Sequence, residues 1–116
     1  MREQDVVLVH DPLANTPHYG VVIRLFDDVQ QALILCGTTK QSSATGVFVD
    51  RGTSAAKALG LTQPTWFYPR NVVGAEYGAT TPQRGRCPLT LFTRLQEVAE
   101  QGCIDFGSNL PVVRVP

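Results

Sequence analysis

The chain has 116 residues, 43% of them hydrophobic and 17% charged, with a formal net charge of zero. That length suits one domain around one core, and the absence of net charge removes any global attraction to nucleic acid. No apolar run reaches the roughly 18 residues that cross a bilayer, and the apolar stretch in "MREQDVVLVH" is too short for a signal peptide, so a soluble cytoplasmic protein, a single domain over residues 1–116, is expected.

The N-terminal half reads as strands. "DVVLVH", residues 5–10, is short and β-branched, which favours a strand. "DPLANTPH", 11–18, is rich in Pro, Asn and Asp and reads as a loop. "YGVVIRLF", 19–26, is a second strand, "DDVQQ" a tight connection, and "ALILC", 32–36, a third strand and hairpin partner. "GTTKQSSAT" is a polar loop, and "GVFVD", 46–50, a fourth strand with clear alternation.

The second half mixes both periods. "TSAAKALG", 53–60, offers Thr53 or Ser54 as a helix cap and Gly60 as a left-handed stop. "TWFYP", 65–69, and "NVVGAEYGA", 71–79, read as two strands, with Pro69 marking an edge or a break between them. "CPLTLFTRLQEVAEQG", 87–102, is the clearest helix: Pro88 suits its first turn, Leu91, Phe92, Leu95, Val98 and Ala99 share one face, and Gly102 closes it. "LPVVRVP" adds a last short strand. The expected fold is mainly β with one C-terminal helix, a small curled sheet or barrel whose apolar face the helix covers.

Charge is uneven along the chain. Residues 51–94 hold Arg51, Lys57, Arg70, Arg84, Arg86 and Arg94 against Glu76 alone. A basic middle of this kind either lines an anion-binding face or is scattered solubilising charge. Cys36, Cys87 and Cys103 are odd in number and widely spaced, matching neither a metal pattern nor a disulfide framework. They read as unreactive thiols in a reducing compartment.

No phosphate-binding glycine loop, HExxH or G-x-S-x-G stands in the sequence. The chemistry-bearing groups sit instead near strand ends. His18 precedes the second strand, where an imidazole can serve as acid or base near neutral pH. His10 ends the first strand, and alternation with Val6 and Leu8 places it partly buried. Thr38 and Thr39 follow Gly37, where hydroxyls hold a phosphate oxygen or simply make a turn. Tyr19 is a candidate stacking platform, and Arg70, just past "TWFYP", is the cation placed nearest a site. Of Trp66, Phe67 and Tyr68, one or two must face the core.

The order of these elements resembles the MazF/PemK-like toxins, small endoribonucleases with an SH3-like barrel. "DVVLVHDPLANTPHYGVVIRL" resembles that family's opening strand, loop and second strand. "ALILCGTTKQ" resembles the third strand with its Thr/Ser end, and the stretch from "LGLTQPTWFYP" to "LFTRLQEVAE" resembles the late strands and closing helix. The family carries Arg-Pro just before its second strand, whereas Tyr19 and Gly20 stand there here. A tyrosine lacks the fixed charge of a guanidinium, a loss typically worth a few kcal/mol of transition-state stabilisation.

The resemblance implies an SH3-like barrel acting on RNA, an endoribonuclease that needs no metal or other cofactor because the substrate 2′-hydroxyl is the nucleophile. The family's Thr or Ser after the third strand matches Thr38 or Thr39. With the family arginine missing, an active version would take His18 as its acid or base beside these threonines as catalytic residues, and Tyr19, Arg70 and Arg84 as RNA contacts, the arginines drawn from elsewhere in the fold or from a second subunit. The resemblance also implies a homodimer and an antitoxin peptide laid in a groove. The missing arginine and the zero net charge support the alternative, a catalytically inactive barrel that binds a protein or peptide.

Overall fold

The computed structural model describes residues 1–10, 17–78 and 81–115, apart from the side chains of Ser108 and Arg114. Most of the loop expected over 11–18, and the last residues of the strands expected over 71–79 and 110–116, lie outside the described residues.

Three strands open the chain as an antiparallel meander: β1 (Asp5–Val9), β2 (His18–Phe26) and β3 (Gln31–Thr38). A 3-10 turn over Asp27–Val29 and Gln30 at φ 51° join β2 to β3. The short β4 (Val47–Val49) follows, then α1 (Ser54–Leu59), the 13-residue β5 (Thr65–Tyr77), β6 (Gly85–Arg86), α2 (Leu89–Phe106) and β7 (Val112–Val115). The strands form one sheet in the order β4-β5-β3-β2-β1-β6, with β7 added parallel to the far half of β5. Because β7 also lies beside β1, the sheet curls into a half-barrel. No described helix is long and apolar enough to cross a membrane.

The curl gives the sheet two buried faces. On one, Val6, Val21, Leu35, Phe67 and Val72 pack against Ala56 and Leu59 of α1 and Leu91, Phe92, Leu95 and Ala99 of α2. On the other, Val7, Val9, Val22, Ile34 and Ala75 are enclosed with Val113 and Val115. Strands buried on both sides read as continuous apolar runs, which is why β1 to β3 show little alternation. Each fully buried Val, Leu or Phe contributes about 1.5–3 kcal/mol of transfer free energy. His10 belongs to neither face and is exposed, because it lies one residue past the end of β1.

Local signals hold at α1. Thr53 caps it by accepting from the Ala56 amide at 3.1 Å, and Gly60 ends it at φ 75°, a conformation that disfavours any side chain.

Two expectations need correction. Pro69 does not divide two strands: β5 runs through it, since the β3–β5 register slips there. Leu35 faces Val72 but Gly37 faces Phe67, so residues 68–71 of β5 stand against Cys36 alone. A bulge makes no ladder demand on the missing proline N–H. Nor does Gly102 end α2, which continues to Phe106. It is buried inside the helix, where an added Cβ would overlap the Pro69 carbonyl oxygen. The glycine is there so that helix and bulge can touch.

The strand β6, which the sequence did not signal, is fastened to β1 by charge. Arg86 donates to the buried Asp5 carboxylate at 2.9 Å, and the Arg2 amide donates to the same carboxylate at 2.8 Å.

Candidate functional site

One rim of the half-barrel collects most of the chemistry-bearing residues. The β2–β3 ladder ends with Gly20 facing Cys36, which leaves His18, at the start of β2, and Thr38, at the end of β3, at the same end of the hairpin. β5 begins at this rim as well, with Trp66 facing Thr38. Antiparallel pairing alone therefore brings the start of β2, the end of β3 and the start of β5 together.

Two adjoining cavities open at the rim and share His18, Gly37 and Thr38. The first, about 270 Å³, is completed mainly by Tyr19, Thr39, Leu61, Thr62, Gln63 and Thr65. The second, about 250 Å³, is completed by Val9, Cys36, Arg70, Asn71, Val73, Pro111 and Val113. The bulge in β5 puts Arg70 and Asn71 on that wall. The two halves differ electrically: Arg70 lies in the second, whereas the described lining of the first holds no Lys, Arg, Asp or Glu.

Tyr68 organises the cationic half. Its ring is buried, its hydroxyl accepts from the Ser42 amide at 2.7 Å, and it donates to the Ser42 carbonyl at 3.3 Å. The Arg70 guanidinium lies 5.6 Å from the ring centroid, within cation–π range. One aromatic side chain thus anchors both the segment that follows Thr39 and the arginine. Phe67 is also core, whereas Trp66 is half-buried and stacks on the exposed Phe48 with centroids 4.7 Å apart.

The remaining groups are placed as follows. The Thr38 hydroxyl accepts from the Lys40 amide at 3.2 Å, so it makes a turn, yet its own O–H still has a proton to donate. Thr39 is exposed at the mouth of the first cavity. His18 and Tyr19 are half-buried, Tyr19 leaning on the helix-side core. Arg84 is not gathered with these five. It lines a separate cavity with Leu8, His10, Thr81, Pro82 and Val115.

The basic middle does not form one face. Arg70 serves the rim, Arg84 stands near His10, Arg86 pairs with Asp5, and Arg94 lies beside Phe48 and Asp50. Cys87 is buried, and burial pushes its thiol up to about 12, whereas Cys36 and Cys103 are half-buried. Among the described residues no group of three His, Cys, Asp or Glu is arranged to hold a metal ion.

Sequence reading missed Leu61, Thr62, Gln63, Thr65 and Asn71 at the rim. The only local signal for the first four was a polar "LTQPT" between a helix stop and a strand. Their nearness to Thr38 depends on β5 pairing with β3, which no local pattern encodes. In comparison with known proteins, no family model matches the chain and no curated protein matches it.

Proposed function

We propose that the chain is a MazF/PemK-like protein acting on RNA, with the half-barrel as its SH3-like scaffold and the rim as a metal-independent endoribonuclease site. The observation that carries this is the sharing of His18 and Thr38 by two cavities, one of which also presents Arg70. A base, a hydroxyl donor and a fixed cation are the groups that phosphodiester transesterification needs.

In this proposal the His18 imidazole takes the proton of a ribose 2′-hydroxyl. The oxygen attacks the adjacent phosphorus, the bond to the 5′-oxygen breaks, and that leaving oxygen takes a proton from solvent water while His18 releases its proton to solvent. The products are a 2′,3′-cyclic phosphate and a 5′-hydroxyl. Arg70 neutralises a non-bridging oxygen while Thr38 or Thr39 donates to it. Arg70 enters from the bulge of β5 and supplies the charge that Tyr19 and Gly20 cannot. We further propose a cytoplasmic homodimer and an antitoxin peptide as partner.

The test is cleavage of a long mixed-sequence RNA in EDTA. The native chain is expected to cut, and His18→Ala to lose about 10²–10⁴-fold in rate. No cleavage, together with no salt-dependent RNA binding, contradicts the proposal. That result would favour a second reading, a non-catalytic module binding a protein or peptide. The exposed Phe48 on the edge strand β4, packed against Trp66, supports it, because edge strands and exposed aromatics are common recognition surfaces.

A further inference from the structure

The two halves of the rim differ in a way that a nucleotide would exploit. Next to the shared His18 and Thr38, the second cavity offers a guanidinium and the first offers only neutral groups among its described residues. A phosphate is drawn to the former. A neutral, flat, hydrogen-bonding group suits the latter.

The first cavity has the parts for such a group. Leu61 is almost fully buried and gives an apolar floor, and half-buried Tyr19 gives an aromatic wall. Gln63 is exposed at the rim, and no described residue hydrogen-bonds its side-chain amide. Its backbone is nonetheless fixed, since the buried Thr65 hydroxyl donates to the Gln63 carbonyl at 3.0 Å. A carboxamide both donates and accepts, so a positioned one can read the Watson–Crick edge of an unstacked base.

We propose that the first cavity is a subsite for one unpaired nucleobase next to the bound phosphate, with Gln63 as the residue that sets base preference. This rests on the RNA reading of the rim and deepens it.

The test measures fluorescence anisotropy of labelled eight-nucleotide 2′-O-methyl RNA homopolymers of A, C, G and U, which lack the 2′-hydroxyl and so stay whole, against the native chain, Gln63→Ala, Gln63→Glu and Arg70→Ala. The native chain is expected to separate its best and worst base by about ten-fold or more, the scale of a good bidentate amide contact. Gln63→Ala should flatten that preference to within about two-fold while keeping salt-dependent binding. Gln63→Glu, which keeps the shape but loses the donor, should change which base is favoured. Arg70→Ala should weaken all four homopolymers alike. Equal affinity of the native chain for all four, or a preference that survives both Gln63 changes, overturns the subsite and leaves the RNA reading standing. Absence of any salt-dependent binding overturns both.

Discussion

Among single residues, Cys87 shows how burial alone sets chemical behaviour. Its side chain is 1% exposed, and burial raises the thiol from 9.0 to about 12. The native state therefore keeps a proton that the unfolded chain gives up above about pH 9. The stability so contributed is whole below that pH and is lost as pH climbs toward 12. The urea midpoint of the native chain should accordingly fall more steeply between pH 8 and pH 10 than that of Cys87→Ala, and parallel profiles would show no such linkage. Labelling at pH 8 should reach Cys36 and Cys103 and spare Cys87 until the chain unfolds. The sequence suggested three buried or unreactive thiols; Cys87 is buried, while the half-buried Cys36 lines the rim. Burial of one cysteine and not another depends on tertiary packing, which spacing between cysteines does not record.

At the scale of elements, the informative contact is between α2 and the bulge of β5. The helix was legible because Leu91, Phe92, Leu95 and Ala99 repeat at helical spacing and all are buried. Its true end was not, because Gly102 looks locally like a stop. The position is instead dictated by Pro69, 33 residues earlier, whose carbonyl occupies the space of a side chain. The continuity of β5 was hidden for the same reason: Pro69 is a local breaker, and only the slip of register against β3 makes it acceptable. Gly102→Ala tests this. Helix propensity alone would favour alanine by about 1 kcal/mol, whereas overlap with a backbone oxygen should cost more, giving a net loss of about 1–3 kcal/mol in denaturant unfolding. A stabilised variant would contradict the close approach. Since the same bulge carries Arg70, the variant should also lose RNA affinity if helix packing sets the arginine's position.

At the scale of the whole molecule, the half-barrel turns a simple meander into a site. His18 and Thr38 are 20 positions apart in sequence, yet they lie just beyond the last pair of the β2–β3 hairpin, Gly20 with Cys36, at the same end of it, so this part of the rim could be inferred from strand and turn signals. Arg70 was singled out in the sequence, but its place at the rim, like those of Asn71 and of Gln63 just before β5, depends on the non-local pairing of β5 with β3, and the last two had to be seen in the structure. Arg84, which sequence reading grouped with Arg70, is carried by a different edge of the sheet to a different cavity. Among the described residues, the rim unites a neutral half and a cationic half around one imidazole.

The most direct measurement uses two RNA strands that the native chain binds, identical except for a 2′-deoxy substitution at the position of scission, incubated in EDTA. The all-ribose strand should be cut to a 2′,3′-cyclic phosphate, while the substituted strand should bind with similar affinity and stay whole at that position. Equal cutting of both strands, or cutting of neither, would contradict a rim that uses the substrate's own hydroxyl as nucleophile.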